Sequence, residues 1–249
     1  MGTVKKLSSA VLLTLSLFLL TANDSSASTR TKTSKGRALS QTELKQAERR
    51  LVEMGYSKSR VDGVIDRAAL ICFQKWEERK VTGRLTRADF DALMDATAPQ
   101  PKDAGYRHVE VDLDRQLLLL VDDEGAISRI LPVSTGSGKH YRAKTMSGLA
   151  YTPRGRFRIY AKMSGWRKSP LGLLYYPNYF SDGLAIHGNP SVPQSPQSHG
   201  CIRIPMSSAR EVSNRLPVGT IVLVYDKDSF VSAKDWAEAD KLKQTTNER

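Results

Sequence analysis

Between His187 and Arg203 the chain concentrates side chains that could do chemistry. Ser198, His199, Gly200, Cys201, Ile202 and Arg203 run consecutively, and a second histidine, His187, precedes Cys201 by fourteen residues and is followed by Gly188. Cysteine catalysis needs a thiolate, a base to take its proton, and donors for the oxyanion that forms on the attacked carbonyl. A nearby imidazole supports the thiolate, which at an ordinary pKa of roughly 8.5 is a minor species at neutral pH. Glycine before the nucleophile lets a substrate approach the backbone and leaves adjacent N–H groups free to donate. A lone cysteine is more often a small buried hydrophobe. The clustering of both histidines, the glycines and Cys201 in one block favours catalysis, with Cys201 as nucleophile and His187 as base.

Two alternatives use the same residues. His187, His199 and Cys201 could be metal ligands, but structural zinc takes four ligands and catalytic zinc three plus water. His108 and His140 are the only other histidines and neither has ligand-like spacing. No metal and no other cofactor is expected. The second cysteine, Cys72, lies between Ile71 and Phe73 in a helical stretch, where a reduced, structural thiol is expected. A Cys72–Cys201 disulfide would need an oxidising compartment and would silence the nucleophile.

The elements that must position these residues fall into a helical part and a strand-rich part. Ser40, Gln41, Thr42 and Glu43 have capping-box spacing, Leu44, Ala47, Leu51 and Met54 recur at helical intervals, and Gly55 supplies a stop. Asp62 and Gly63 form a turn. A second helix is predicted from Asp66 to Lys80 with Leu70, Phe73 and Trp76 inward, and a third from Thr86 with Phe90, Leu93 and Met94 inward. Residues 97–105, rich in Pro and Gly, read as a linker. Strands are then predicted over His108 to Leu113, Gln116 to Val121, Ile127 to Val133, Arg156 to Ala161, Leu184 to Ile186 and Thr220 to Tyr225. One further helix is predicted from Ser208 to Leu216, capped by Ser208 with Glu211 and ended by Pro217. The fold class is therefore α+β, a β-rich unit over residues 106–226 preceded by a small three-helix unit over 40–97. Residues 227–249 form a charged tail, with a surface helix expected around Trp236.

Composition bounds the surroundings. The 249 residues carry 38 Lys and Arg against 26 Asp and Glu, a formal charge of +12, which favours nucleic acid, anionic lipid or an acidic wall polymer as partner. Lys5 and Lys6, the apolar run from Ala10 to Leu20, and the small residues Ser25, Ser26 and Ala27 form a secretory signal pattern over 1–27. The apolar run is about half the roughly 20 residues a spanning helix needs, so no stable membrane span is expected. Export makes nucleic acid an unsuitable partner. It leaves a cell-wall, periplasmic or extracellular location after cleavage near Ala27. Removing Lys5, Lys6 and Asp24 costs one net positive charge, so the basic balance survives.

The strand-rich part resembles an L,D-transpeptidase catalytic domain of the YkuD-like family. The resemblance covers residues 106–225. It rests on Val133 to Gly136, Thr152 to Phe157, the aromatic run Tyr175, Tyr176 and Pro177 with Tyr179 and Phe180, Ile186 to Gly188, Ser198 to Arg203, and Leu216, Pro217, Gly219, Thr220 and Val222, in that order. It implies a sandwich-like enzyme that cross-links bacterial peptidoglycan. Cys201 attacks the third-residue carbonyl of a stem peptide, the terminal D-Ala leaves, and an amine of a neighbouring stem resolves the acyl-enzyme. His187 matches the family's base, which the carbonyl of the next residue, here Gly188, orients. His199, Gly200 and Cys201 match the positions of the oxyanion-hole amides. Ser198, Arg203, Tyr176 and Tyr179 would contact substrate, with a structural salt bridge for Arg203 and core packing for the tyrosines as alternatives.

The helical part resembles a three-helix peptidoglycan-binding domain through Leu51, Met54 to Tyr56, Val61 to Gly63, Ala69, Leu70, Phe73, Gln74, Gly83, Leu85, Thr86 and Leu93. Residues 64–68 depart from the Gly and Thr usual there, and a purely structural module is the alternative. Three functions follow from these readings: a transpeptidase, an L,D-carboxypeptidase or D-amino-acid exchange enzyme on the same substrate, and a non-catalytic wall-binding protein.

Overall fold

A computed structural model describes residues 37–144, 146–229 and Asp235. The segment read as an export signal and most of the charged tail, including the stretch around Trp236, lie outside the described residues. Among those residues no helix is long and apolar enough to cross a membrane.

Three helices lead: α1 (Gln41–Glu53), α2 (Arg67–Trp76) and α3 (Arg87–Asp95). Each starts on a side chain that satisfies otherwise unpaired amides. Ser40 and Glu43 form the capping box of α1, Asp66 accepts from the Ala68 and Ala69 amides of α2, and Thr86 with Asp89 forms a second box on α3. Helix α2 ends at Trp76, before the predicted Lys80. Glu78 adopts a left-handed φ of 51°, and the Glu77 and Arg79 amides fold back onto the Phe73 and Gln74 carbonyls.

The strands are β1 (His108–Asp112), β2 (Leu117–Val121), β3 (Ile127–Pro132), β4 (His140–Arg142), β5 (Ser147–Leu149), β6 (Gly155–Arg158), β7 (Ala161–Lys162), β8 (Trp166–Ser169), β9 (Gly172–Ser181), β10 (Leu184–Asn189), β11 (Ile202–Pro205) and, after helix α4 (Met206–Arg215), β12 (Ile221–Tyr225). One sheet runs β3-β2-β1-β12-β6 and a second β11-β10-β9-β7, with β8 paired to β9; β4 and β5 form a separate hairpin. The stretch Arg156 to Ala161, predicted as one strand, is divided between the two sheets. The Ile159 amide donates to Thr220 of the first sheet's side, and the Tyr160 amide donates to Tyr179 of the second. Helix α4 starts two residues earlier than predicted, on Pro205, with no side-chain cap. Ser208 is buried inside it rather than capping it.

The continuous leucines of β2 serve two cores. Leu118 and Leu120 face the second sheet with Val109, Val111, Ile186, Ile202 and Ile204. Leu117 and Leu119, with Ile130 of β3, face Leu51, Leu70, Phe73 and Leu93 of the helices. A strand covered on both faces has no polar side to show, which explains the unbroken apolar run. The segment between α3 and β1 is fixed by a buried carboxylate. Glu110 accepts the Lys102 amide at 3.0 Å, the Asp103 amide at 2.8 Å and the Tyr225 hydroxyl at 3.0 Å, and contacts His108 Nε2 at 3.1 Å.

Candidate active site

Strands β10 and β11 pair in parallel, with Ile186 opposite Ile202 and His187 opposite Arg203. Alternation sends Ile186, Ile202 and Ile204 into the core and leaves His187, Cys201 and Arg203 on the opposite face. All three line a cleft of about 640 Å³. Its walls are largely apolar: Tyr141, Met146 and Leu149 from the β4–β5 hairpin on one side, Leu171, Leu173 and Leu174 from the β8–β9 hairpin on the other. Neither hairpin was expected from the sequence.

His187 is 2% exposed. Its Nδ1 lies 2.9 Å from the Gly188 carbonyl, which assigns the proton to Nδ1 and leaves Nε2 as the basic nitrogen. Gly188 is required for packing as well. A Cβ there would lie 2.6 Å from the Ala209 Cβ and 3.1 Å from Tyr175 Cδ1, so the strand carrying the histidine sits flush against α4 only with glycine.

The Ala185 amide donates to Cys201 Sγ at 3.4 Å, a contact the sequence did not reveal because it depends on the β10–β11 register. It favours the thiolate, as does the nearby Arg203 charge, but desolvation dominates and raises the Cys201 pKa. Burial also pushes His187 down to about 4, against the Gly188 hydrogen bond and with help from Arg203. Both shifts favour neutral forms. These directions favour a thiol and a neutral imidazole over the imidazole-supported thiolate expected from the sequence. This arrangement suits general-base catalysis, with the proton moving to Nε2 as sulfur attacks.

The loop before Cys201 is held by its own side chains. Ser198 Oγ donates to the Cys201 carbonyl at 2.6 Å and accepts the Gly200 amide at 3.0 Å. The Ser198 hydroxyl is thus used inside the loop, although the residue lines the cleft. The Gly200 N–H, expected as an oxyanion donor, is directed to that hydroxyl, which leaves the His199 and Cys201 amides as the candidates. Thr152 Oγ1 donates to the Gly200 carbonyl at 2.7 Å and accepts the Gly136 amide at 2.8 Å. The Ser198 amide donates to the Thr135 carbonyl at 2.8 Å, and Thr135 is gripped by Gln116, whose Oε1 accepts its amide at 2.9 Å. Thr152, Thr135 and Gln116 are positioning residues that no local sequence pattern could rank.

The remaining expected residues separate. Arg203 lines the cleft with no ion-pair partner among the described residues, so its guanidinium is available to an anion. His199 is exposed at the rim, its ring edge-on to Tyr141 at 4.7 Å. Tyr179 lines the cleft. Tyr176 does not; it packs on the inter-sheet core beside Tyr175. No group of three or more His, Cys, Asp or Glu suited to a metal occurs among the described residues. Both cysteines are free. Cys72 is buried among the helices, its sulfur 3.9 Å from the Ile130 carbonyl, and burial raises its pKa to about 12.

These environments predict selective labelling. In the native protein iodoacetamide should modify Cys201, which lines an open cleft, while Cys72 reacts only after unfolding. Peptide mapping by mass spectrometry checks this, and comparable labelling of both would contradict the burial of Cys72.

Residues 106–224 match the YkuD family, described as the L,D-transpeptidase catalytic domain. The chain is similar to the crystal structure of an L,D-transpeptidase from Xylanimonas cellulosilytica, with 35% identity, a TM-score of 0.68, and coverage of 74% of this chain and 93% of that one. Weaker likenesses include an L,D-transpeptidase from Stackebrandtia nassauensis at 23% identity and a TM-score of 0.42, covering 73% of this chain and 90% of that one. Another, from Mycobacterium smegmatis, has 22% identity and a TM-score of 0.38, covering 48% and 58%. No curated protein matches the sequence.

Proposed function

Since the chain belongs to the L,D-transpeptidase family, whose members are peptidoglycan-modifying acyltransferases, we propose that it is an exported cysteine transpeptidase that cross-links peptidoglycan stem peptides through an acyl-enzyme on Cys201. The observation that carries this reading is the shared cleft floor. His187 stands on β10 and Cys201 immediately precedes β11, its parallel neighbour, the sulfur accepts an amide at 3.4 Å, and the imidazole is held by a carbonyl at 2.9 Å.

Attack begins when Cys201 Sγ adds to the carbonyl of the third stem residue while His187 Nε2 takes the thiol proton. The His199 and Cys201 amides donate to the oxyanion. Collapse breaks the peptide bond, His187 returns the proton to the departing D-Ala nitrogen, and a thioester remains. An acceptor side-chain amine then adds to the thioester. Its proton passes to Nε2, sulfur leaves, and Nε2 protonates it. Arg203 is suited to a substrate carboxylate, and Tyr179 to one wall of the donor site. The apolar walls limit water while a peptide fills the cleft, which favours aminolysis over hydrolysis.

Export rests on the signal pattern in residues 1–27, and it places the enzyme where its substrate is. The helical unit, by its resemblance to a wall-binding domain, would add affinity for the polymer. The basic balance of the chain suits a wall rich in carboxylates.

The test is mass spectrometry of residues 28–249 incubated with disaccharide-tetrapeptide, beside Cys201→Ala. A cross-linked dimer lacking one D-Ala, absent with the variant, is expected. Tripeptide without dimer would make the protein a carboxypeptidase. No product from the soluble fragment or from intact sacculi would contradict catalysis and leave wall binding.

A further inference from the structure

Strand β10 is paired irregularly at His187 itself. Ile186 lies opposite Asn178, and Gly188 lies opposite Tyr175. One residue of β10, His187, therefore faces two of β9, Tyr176 and Pro177, which makes a β-bulge. Tyr176 has a left-handed φ of 50°, a conformation costly to any residue but glycine. Pro177 has no N–H to leave unpaired. The outer edge of the bulge is tied to the loop between β7 and β8. The Tyr176 amide donates to the Gly165 carbonyl at 2.8 Å, and the Met163 amide donates to the Pro177 carbonyl at 3.0 Å. The inner edge is tied by a side chain. Asn178 Nδ2 donates to the Tyr176 carbonyl at 2.9 Å and to the Ile186 carbonyl at 3.3 Å. One carboxamide thus joins the bulged residue of β9 to the residue before His187.

Asparagine is a costly residue at this position. Asn178 is 0% exposed and stands opposite Ile186, whose side chain belongs to the inter-sheet core. Its Oδ1 is buried with no hydrogen-bond partner among the described residues, a desolvation penalty that a leucine of similar volume avoids. What the carboxamide adds is two donors, and both go to the bulge. His187 is thereby carried between two fixed points. On one side the Ile186 carbonyl is held by Asn178; on the other, Gly188 has no room for a Cβ against Ala209. A bulge strengthens the local twist and re-aims the side chains beside it. The next pair along is Ala185 opposite Tyr179, and the Ala185 amide is the one that donates to Cys201 Sγ. The same clamp sets the register of that donor.

We propose that Asn178 is a positioning residue for the base: its carboxamide holds the β9 bulge that aims the His187 ring, so that Nδ1 meets the Gly188 carbonyl and Nε2 is left for the cleft. It acts through His187 and touches no substrate. That His187 is a base rests on the transpeptidase reading; the aim of its ring does not.

Asn178→Leu keeps the volume and removes both donors. Residues 28–249, labelled with 15N-histidine, report the tautomer of each neutral imidazole by NMR, and His187→Ala identifies the His187 signals. The native ring should carry its proton on Nδ1 alone. In Asn178→Leu it should become a mixture of both tautomers. The kcat for D-Ala release should fall about 10²-fold while KM moves by less than about threefold, the pattern of a misplaced group rather than of lost binding. Leu118→Ala opens a cavity in the same core from the other sheet and controls for lost stability. It should lower the thermal midpoint yet keep the single tautomer and the kcat. Should Asn178→Leu not fold, Tyr176→Val and Tyr176→Gly test the bulge directly. Both remove the ring, but only glycine accepts the left-handed φ, so the valine variant should mix the tautomers and the glycine variant should not. A single tautomer with native kcat in Asn178→Leu, the same losses in Leu118→Ala, or valine and glycine variants that behave alike would overturn the assignment. Failure of the native chain to release D-Ala would instead overturn the transpeptidase reading and leave the tautomer comparison intact.

Discussion

Replacing His187 by Ala should lower the rate of acylation by about 10²–10⁴-fold and change the shape of its pH profile. In the native protein the imidazole titrates near 4, because burial outweighs the Gly188 hydrogen bond. Acylation should therefore rise with pH to an apparent pKa near 4 and stay flat toward neutrality, the base being already free. In the variant no base remains, and sulfur attacks only as thiolate. Burial holds the Cys201 thiol above its ordinary value. The rate should then climb about tenfold per pH unit through neutrality, following the small thiolate fraction. D-Ala release in a single turnover, followed from pH 3.5 to 9 or so in both proteins, measures the two profiles. A native acid limb near 6.5, or a flat profile in the variant, would show that the pair is not the neutral one described.

Gly200→Ala should be strongly damaging to both stability and activity. Gly200 has a φ of +135°, and an added Cβ would lie 2.7 Å from the Tyr151 carbonyl oxygen and 2.9 Å from Leu184 Cδ2. The backbone oxygen cannot rotate away, and the left-handed region penalises any Cβ. A cost of about 2–4 kcal/mol is expected, seen as a lower denaturation midpoint. Activity should fall further than stability. The loop's hydrogen bonds to Thr152 and Ser198 fix the backbone from which Cys201 projects, and a displacement of about 1 Å costs on the order of 10²-fold. Acylation kinetics beside chemical denaturation separate the two effects. A variant that keeps both its midpoint and its acylation rate would mean that the loop readily adopts another path.

The candidate site was legible in the sequence because it was read from residue type: Cys201, His187 and the glycines cluster there, and the structure brings Cys201 and His187 into one cleft. The three helices were legible from their caps, since Ser40, Asp66 and Thr86 each sit at a helix start. What escaped depends on register or on long-range contact. The Ala185 amide meets Cys201 only because of how two strands pair. Thr152 reaches Gly200 across forty-eight residues, and no local pattern announces it. The protonation state escaped for the same reason, being set by burial that spacing cannot report. The β4–β5 hairpin and strand β8 escaped because they stand out from the core. Their exposed and half-buried residues lack the alternation that a core face imposes. Helix α4 misled through Ser208 and Glu211, a capping pattern that lies inside the helix while the true start goes uncapped.

The double role of β2 bears on how such a chain could be assembled in evolution. The family match begins at residue 106, but Leu117, Leu119 and Ile130, fully buried here, are covered by the helices before it. Excision at that boundary would bare three aliphatic side chains on one sheet face, each worth roughly 1.5–3 kcal/mol of burial. The boundary of the family model and the boundary of cooperativity therefore do not coincide. Recombination could not exchange the amino-terminal helices for an unrelated module without also rewriting the outward leucines of the sheet, so the two halves of this chain are expected to have diversified together.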